Sequence, residues 1–335
     1  MRLLRIAVLL PILLFSVSCH DIQDWADDPE GNFDALWTIL DEHYCFFEEK
    51  GVNWDAVYAK YRPQIVPEMT QRQLFAVCAA MLDELRDGHT NLSSAFNTSY
   101  YTKWWSDYPQ DYNERLVEQY YFNFRLNHVG AATYGILPEN IGYFRYPSFS
   151  VALGEGNVDH ILAHMIVCNG IIIDIRDNGG GDMTNVEALA ARFIRERTLA
   201  GYISHKTGPG HGDFSKPYAY YYEPAGGGHL LWRKPVVVLT NRSTFSAANN
   251  FVSIMKYVPD VYIVGGGSGM PFSSEIPCGW GVRFSACSIL DCMGNTTEFG
   301  ISPSEGCAVG LDPLAALDGR DTMLDFAVSI LAGGK

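Results

Sequence analysis

Apolar side chains recur every third or fourth residue from position 33 onward. Phe33, Leu36, Trp37 and Leu40, followed by Tyr44, mark one face of a first helix. A second is predicted from Asn53-Trp54-Asp55 to Tyr61, with Pro63 closing it. Thr70-Gln71-Arg72-Gln73 matches a capping box and opens a third, whose apolar face is Leu74, Val77, Cys78, Met81, Leu82 and Leu85. Residues 31–95 therefore read as a small helical module, its Trp and Tyr stripe serving as core. Residues 96–135 are rich in Tyr, Trp and Asn without a clear period, and read as a connecting segment with short strands that either line a groove or simply pack.

From Tyr134 the pattern changes. Strands are expected at Ile141–Phe149, Gly170–Arg176, Tyr218–Tyr222, Pro235–Thr240 and Val261–Val264, and helices at Val158–Val167, Asn185–Arg195 and Ser246–Tyr257. Runs apolar on both faces, such as Ile171-Ile172-Ile173, belong in the middle of a sheet. Strand–helix alternation predicts an α/β domain with parallel pairing over 136–335.

Composition narrows the class. The chain has 335 residues, 47% hydrophobic and 13% aromatic, which excludes a disordered chain. A formal charge of −14 gives no basic footprint for nucleic acid. Arg2 and Arg5 precede an apolar run, Ile6 to Val17, of signal-peptide length and too short to span a bilayer. It ends in Ser16-Val17-Ser18-Cys19, which resembles a bacterial lipobox with Cys19 as the lipidated first residue. Residues 1–18 hold two Arg and no acid, so their removal takes the charge from −14 to −16. Residues 19–30 follow as an acidic tether. Seven further cysteines form no CxxC and no zinc spacing, so no metal site is expected.

Three segments carry candidate chemistry. After the Ile171–Ile173 run comes Asp174-Ile175-Arg176-Asp177-Asn178-Gly179-Gly180-Gly181-Asp182, where consecutive glycines leave amides uncovered for an anion or oxyanion. It has neither GxGxxG nor GxxxxGK[ST], which argues against a nucleotide loop. After the Val236–Leu239 run comes Asn241-Arg242-Ser243-Thr244-Phe245-Ser246-Ala247. A serine where a buried strand meets a helix can present its hydroxyl with the next amide as oxyanion donor, or can simply cap the helix. Leu85-Arg86-Asp87-Gly88-His89-Thr90 places His89 in a polar loop as a candidate base.

Together these segments resemble the tail-specific or C-terminal processing serine proteases, in the branch nearer the tricorn core protease and the retinoid-binding-protein-like domains. The family's L-x-D-G-H-T is met by Leu85–Thr90, its D-x-R-x-N-x-G-G by Asp174–Gly181, and its N-x-x-(S/T)-x-S-A by Asn241–Ala247. Glu298-Phe299-Gly300-Ile301-Ser302-Pro303-Ser304 approaches its late E-x-G-I-x-P-D, with Ser304 in place of the final Asp. The resemblance implies a crotonase-like (ClpP/crotonase-type) spiral α/β core behind the helical module. With about 45 residues between Asn91 and the first core strand, no PDZ domain is expected.

Carried over by position, the resemblance makes Ser246 the nucleophile, Ala247 and Gly180, with Gly179, the oxyanion donors, and His89 the base. No Lys stands about 25 residues beyond Ser246, so a Ser–Lys dyad is not expected. Glu298 is the first choice to orient His89, and Glu275 the second. No cofactor is implied. The reading is a lipid-anchored serine endopeptidase of the cell envelope, on the periplasmic face or outer surface, acting on protein or peptide. The alternative is a non-catalytic peptide- or ligand-binding lipoprotein that kept the fold.

Overall fold

The computed structural model describes residues 25–265, 267–268 and 272–333, without the side chains of 266–275. Cys19 and the signal segment lie outside the described residues. Among those described, no helix is long and apolar enough to cross a membrane.

The three expected N-terminal helices form at Pro29–His43, Trp54–Tyr61 and Gln71–Asp83. Each starts where a side chain can take an orphan amide. Asp28 accepts from Gly31 N–H, Asn53 from Ala56 N–H, and Thr70 with Gln73 completes the capping box. Their apolar faces meet in one cluster, with Phe33, Leu36, Leu40, Cys78 and Met81 wholly buried. Burial of each such side chain contributes about 1.5–3 kcal/mol. A fourth, unanticipated helix, Phe47–Lys50, is one turn long and ends on Gly51 at φ +62°. The cluster also takes in Ile276, Trp280, Val282 and Phe284, some 200 residues downstream. These come from a hairpin and its turn, in an antiparallel sheet where Gly281–Phe284 lies between Phe272–Glu275 and Asn91–Ser93. The helical module is therefore sealed by a hairpin from the far end of the chain.

The core is a six-stranded sheet in the order Val261–Val264, Val236–Leu239, Gly170–Asp174, Ile141–Arg145, Ala132–Leu137, Asn127–Val129. The first four strands are parallel and the last two pairings antiparallel. Parallel neighbours need crossovers, and helices Glu155–His164, Met183–Ala190 and Ala247–Met255 supply them. The strand expected to reach Phe149 stops at Arg145, because Pro147 has no N–H for the ladder. The helix expected from Asn185 starts earlier, at Met183, because Asp182 caps it through Thr184 N–H. It also ends earlier, at Ala190, and the chain continues in turns. A three-stranded sheet, Cys287–Leu290, Thr198–His205 and Tyr218–Tyr222, closes one side. Every residue of Ala247–Met255 is buried, so the N-terminus of this helix is fixed between layers.

Candidate active site

Ser246 stands at the N-cap of the buried helix with φ 57° and ψ −125°, and its side chain makes no capping bond. A non-glycine residue in that region is strained, and such strain persists only where the surroundings enforce it. Here the enforcement is visible. Phe245 N–H donates to Asn178 O at 2.9 Å, and Thr244 Oγ1 donates to Ile175 O at 3.0 Å. The side chain of Ser246 thus does not cap the helix, and its hydroxyl has no hydrogen-bond partner among the described residues. Ala247 is the first helical residue, so its N–H has no intrahelical acceptor.

The glycine loop abuts this turn. A Cβ on Gly180 would lie 2.6 Å from Phe245 O, 2.7 Å from Ser246 Cβ and 2.8 Å from Ala247 N, and its φ is +92°. Only glycine fits there. Gly180 N–H, however, already donates to Asn178 Oδ1 at 2.9 Å. The expectation that Gly180 supplies the second oxyanion amide is corrected by that bond. Gly179 is exposed, and its N–H has no acceptor among the described residues. Gly180 instead provides the close approach, and Gly179 and Ala247 carry the unclaimed amides.

The start of the loop is anchored by ions. Arg176 is fully buried, with its Nε and Nη2 on Asp174 and its Nη1 2.8 Å from Asp321 Oδ2. Burial alone would raise the Asp174 carboxyl, but Arg176 and Arg145 hold it below its ordinary value. Asp174-x-Arg176 therefore serves the backbone geometry of the loop.

His89 is buried and stacks on Phe245, ring centroids 4.0 Å apart, on the residue next to Ser246. Its Nε2 is buried without a hydrogen-bond partner among the described residues. Its carboxylate is Asp87, not Glu298. Asp87 Oδ1 accepts the His89 backbone N–H at 2.8 Å and lies 3.7 Å from His89 Nδ1. Asp87 Oδ2 accepts Tyr44 OH at 2.9 Å and Ser285 OH at 3.1 Å. Burial pushes the Asp87 carboxyl up, but the bonds to His89 and the charge of Lys50 outweigh it and hold it well below the usual range. Burial holds His89 below its ordinary value, with Asp87 opposing. The pair at neutral pH is an ionised carboxylate beside a neutral imidazole.

Glu298, expected to orient His89, faces Lys50 Nζ at 2.6 Å, with both side chains nearly enclosed. Burial, then the nearby charge of Asp87, pushes its carboxyl up to about 8 against the pull of Lys50. The physical reason for the correction is local: a carboxylate two residues before His89 reaches it through an Asx turn, while Glu298 finds its cation on the short helix. Glu275 lies in the Phe272–Glu275 strand, and its side chain is outside the described residues. A cavity of about 690 Å³ opens here, bounded by Lys50, Asp87, Gly88, Trp104, Arg242 and Phe245 among others. Trp104 stacks on the other face of Phe245 at 4.2 Å and packs so closely on Gly88 that a Cβ there would meet its indole. Among the described residues no group of His, Cys, Asp or Glu is arranged to hold a metal ion.

A solved candidate peptidase from Parabacteroides merdae is 44% identical over 91% of this chain and 97% of its own, with TM-score 0.86. The model of peptidase family S41 matches residues 140–305, and that of the tricorn protease C1 domain matches residues 26–83.

The chain belongs to peptidase family S41.

This S41 chain also shares its fold with mature CPAF complexed with lactacystin, TM-score 0.65 at 10% identity over 91% and 97% of the two chains. The photosystem II D1 C-terminal processing protease superposes with TM-score 0.54 at 15% identity over 92% and 98%. The expected α/β fold behind a small N-terminal helical module is thus that of S41 proteases, and the protein is a serine-type peptidase, a hydrolase of protein or peptide. Asp87, Lys50 and Trp104 are the site residues that sequence reasoning passed over. Only Asp87 carried a local signal, the Asp-x-His spacing within Leu85–Thr90.

Proposed function

We propose that this S41 peptidase cleaves peptide bonds with Ser246 as nucleophile, His89 as base and Asp87 as the carboxylate that orients and stabilises the imidazolium. The observation that carries the reading is a strained, uncapped Ser246 whose chain neighbour Phe245 is stacked on a buried imidazole, the Nε2 of which has no partner among the described residues. In the first step Ser246 Oγ bonds to the scissile carbonyl carbon as His89 Nε2 takes its proton. The carbonyl oxygen becomes an oxyanion held by the N–H groups of Ala247 and Gly179. His89 then returns the proton to the leaving amine, and a water repeats the sequence to release the acyl group. The 3.7 Å between Asp87 and His89 Nδ1 is an apo spacing, of the kind that tightens once substrate is bound.

The mature enzyme is held in the cell envelope through lipid on Cys19, a reading supported by the Arg-flanked apolar leader and Ser18-Cys19. The test of function is hydrolysis of fluorescein-labelled β-casein. Ser246→Ala abolishes turnover and leaves circular dichroism unchanged; equal turnover in the variant sinks the mechanism. Metabolic labelling with a clickable fatty acid tests the anchor, since Cys19→Ser loses the label.

A further inference from the structure

Sharing Trp104 and Phe245 with the large cavity is a second, open pocket of about 360 Å³. Trp104, Trp105 and Phe245 line it, together with Gln110, Asp177, Gly179 and Ser243. It adjoins the reacting centre, because Gly179 carries an unclaimed amide and Phe245 precedes Ser246 in sequence. Asp177 is exposed, unlike the buried Asp174, Arg176 and Asn178 around it. Its backbone is held at φ 58°, a conformation uncommon for a residue with a Cβ. Asn241 holds it from both ends, accepting the Asp177 N–H at 2.9 Å and donating its amide to Asp177 Oδ1 at 2.7 Å. Asp177 Oδ2 has no hydrogen-bond partner among the described residues. No cation is paired with it there.

A rigid carboxylate with one free oxygen, set in an aromatic wall, is the complement of an alkyl chain ending in a positive charge. The indole and phenyl faces cover methylenes and attract a cation, and the carboxylate fixes its end. An acidic side chain would meet repulsion, and a plain alkyl chain would leave Asp177 unanswered.

We propose that this pocket is a substrate subsite selecting a Lys or Arg side chain beside the scissile bond, with Asp177 as the specificity-determining residue. The inference rests on the peptidase reading of Ser246. An exposed ion pair plus an exposed cation–π contact together favour the cationic residue by roughly tenfold.

The experiment uses internally quenched peptides of one neutral frame, in which one position at a time holds Lys, Arg, norleucine or Glu. Wild type gives kcat/KM for Lys or Arg about tenfold above norleucine at one position, with Glu lowest, and Asp177→Asn collapses that ratio toward one. The ratio is read within each variant, so lower overall activity in Asp177→Asn does not obscure it. A ratio near one in wild type, or an unchanged ratio in Asp177→Asn, overturns the subsite. The same peptides are titrated against Ser246→Ala by fluorescence anisotropy. Selective binding of Lys peptides without wild-type cleavage retains the subsite and sinks the peptidase mechanism. Cleavage without selectivity does the reverse, and neither cleavage nor selective binding overturns both.

Discussion

Glu298→Gln tests the electrostatics beneath the site. Two carboxylates, Asp87 and Glu298, share a buried space with one ammonium, Lys50. Asp87 wins the charge because it also accepts from His89, Tyr44 and Ser285. Among the described residues the Glu298 side chain has only Lys50, and its Oε2 is buried without a partner. Its carboxyl is accordingly raised from 4.5 to about 8. A carboxyl raised in the folded state binds a proton there that the unfolded chain has already lost. Its contribution to stability is therefore complete below pH 4.5 and is lost as pH rises through about 8. Inside that window the slope approaches about 1.4 kcal/mol per pH unit, so wild type loses about 2–3 kcal/mol from this group between pH 5.5 and 7.5. His89, lowered by burial, has the opposite sign, with stability lost as pH falls below its ordinary 6.5. It is common to both proteins and cancels in the difference. Urea unfolding across pH 5–9 should show Glu298→Gln gaining about 2–3 kcal/mol on wild type over that interval. Parallel profiles for the two proteins would refute the raised carboxyl and the charge assignment drawn from it.

Other perturbations separate the parts. Asp87→Asn lowers kcat/KM by roughly 10³-fold or more, because the imidazolium loses its carboxylate, and peptide hydrolysis reads this directly. Gly180→Ala forces a Cβ to within 2.8 Å of Ala247 N at φ +92°; activity falls at least about a hundredfold and thermal unfolding shifts down in step with about 1–3 kcal/mol of strain. Arg176→Met leaves Asp321 buried without its cation and Asp174 with only Arg145 at 3.7 Å, and lowers the unfolding free energy by about 3–5 kcal/mol in urea titration.

The elements that position Ser246 were legible because their signals are local. The Ile171–Ile173 and Val236–Leu239 runs announce buried strands, Asp182 and Thr70 announce helix starts, and three glycines announce a close approach. What was not legible depends on distance along the chain. Lys50 sits in Phe-Glu-Glu-Lys, which reads as an exposed turn until residue 298 folds onto it. Trp104 lies in an aromatic segment without period, and its value appears only when Phe245 is sandwiched between it and His89. Ile276, Trp280, Val282 and Phe284 alternate as a strand, but nothing local says that their inner face completes a helical module begun at residue 29. The Gly180 assignment erred for a similar reason. A glycine amide looks free in sequence, and the Asn178 side chain that claims it becomes visible only when the loop is folded.

These contacts divide the site into two halves supplied by different parts of the fold. The nucleophile half belongs to the α/β core alone: Ser246, Ala247 and Gly179 are fixed by Asn178, Asn241 and the ion cluster around Arg176. The base half exists only at a seam. Asp87 takes one donor, Tyr44, from the N-terminal module and another, Ser285, from the loop that follows the hairpin sealing it, and Cys45 N–H donates to Ser285 O at 3.0 Å across the same junction. Loosening that seam would remove the Tyr44 and Ser285 donors that hold the Asp87 carboxylate in place, and so leave the imidazolium of His89 without an oriented partner. It would leave Ser246 where it is. With the proposed roles, an enzyme built this way loses its base before its nucleophile, so packing between the helical module and residues 276–285 controls catalysis together with the residues that touch substrate.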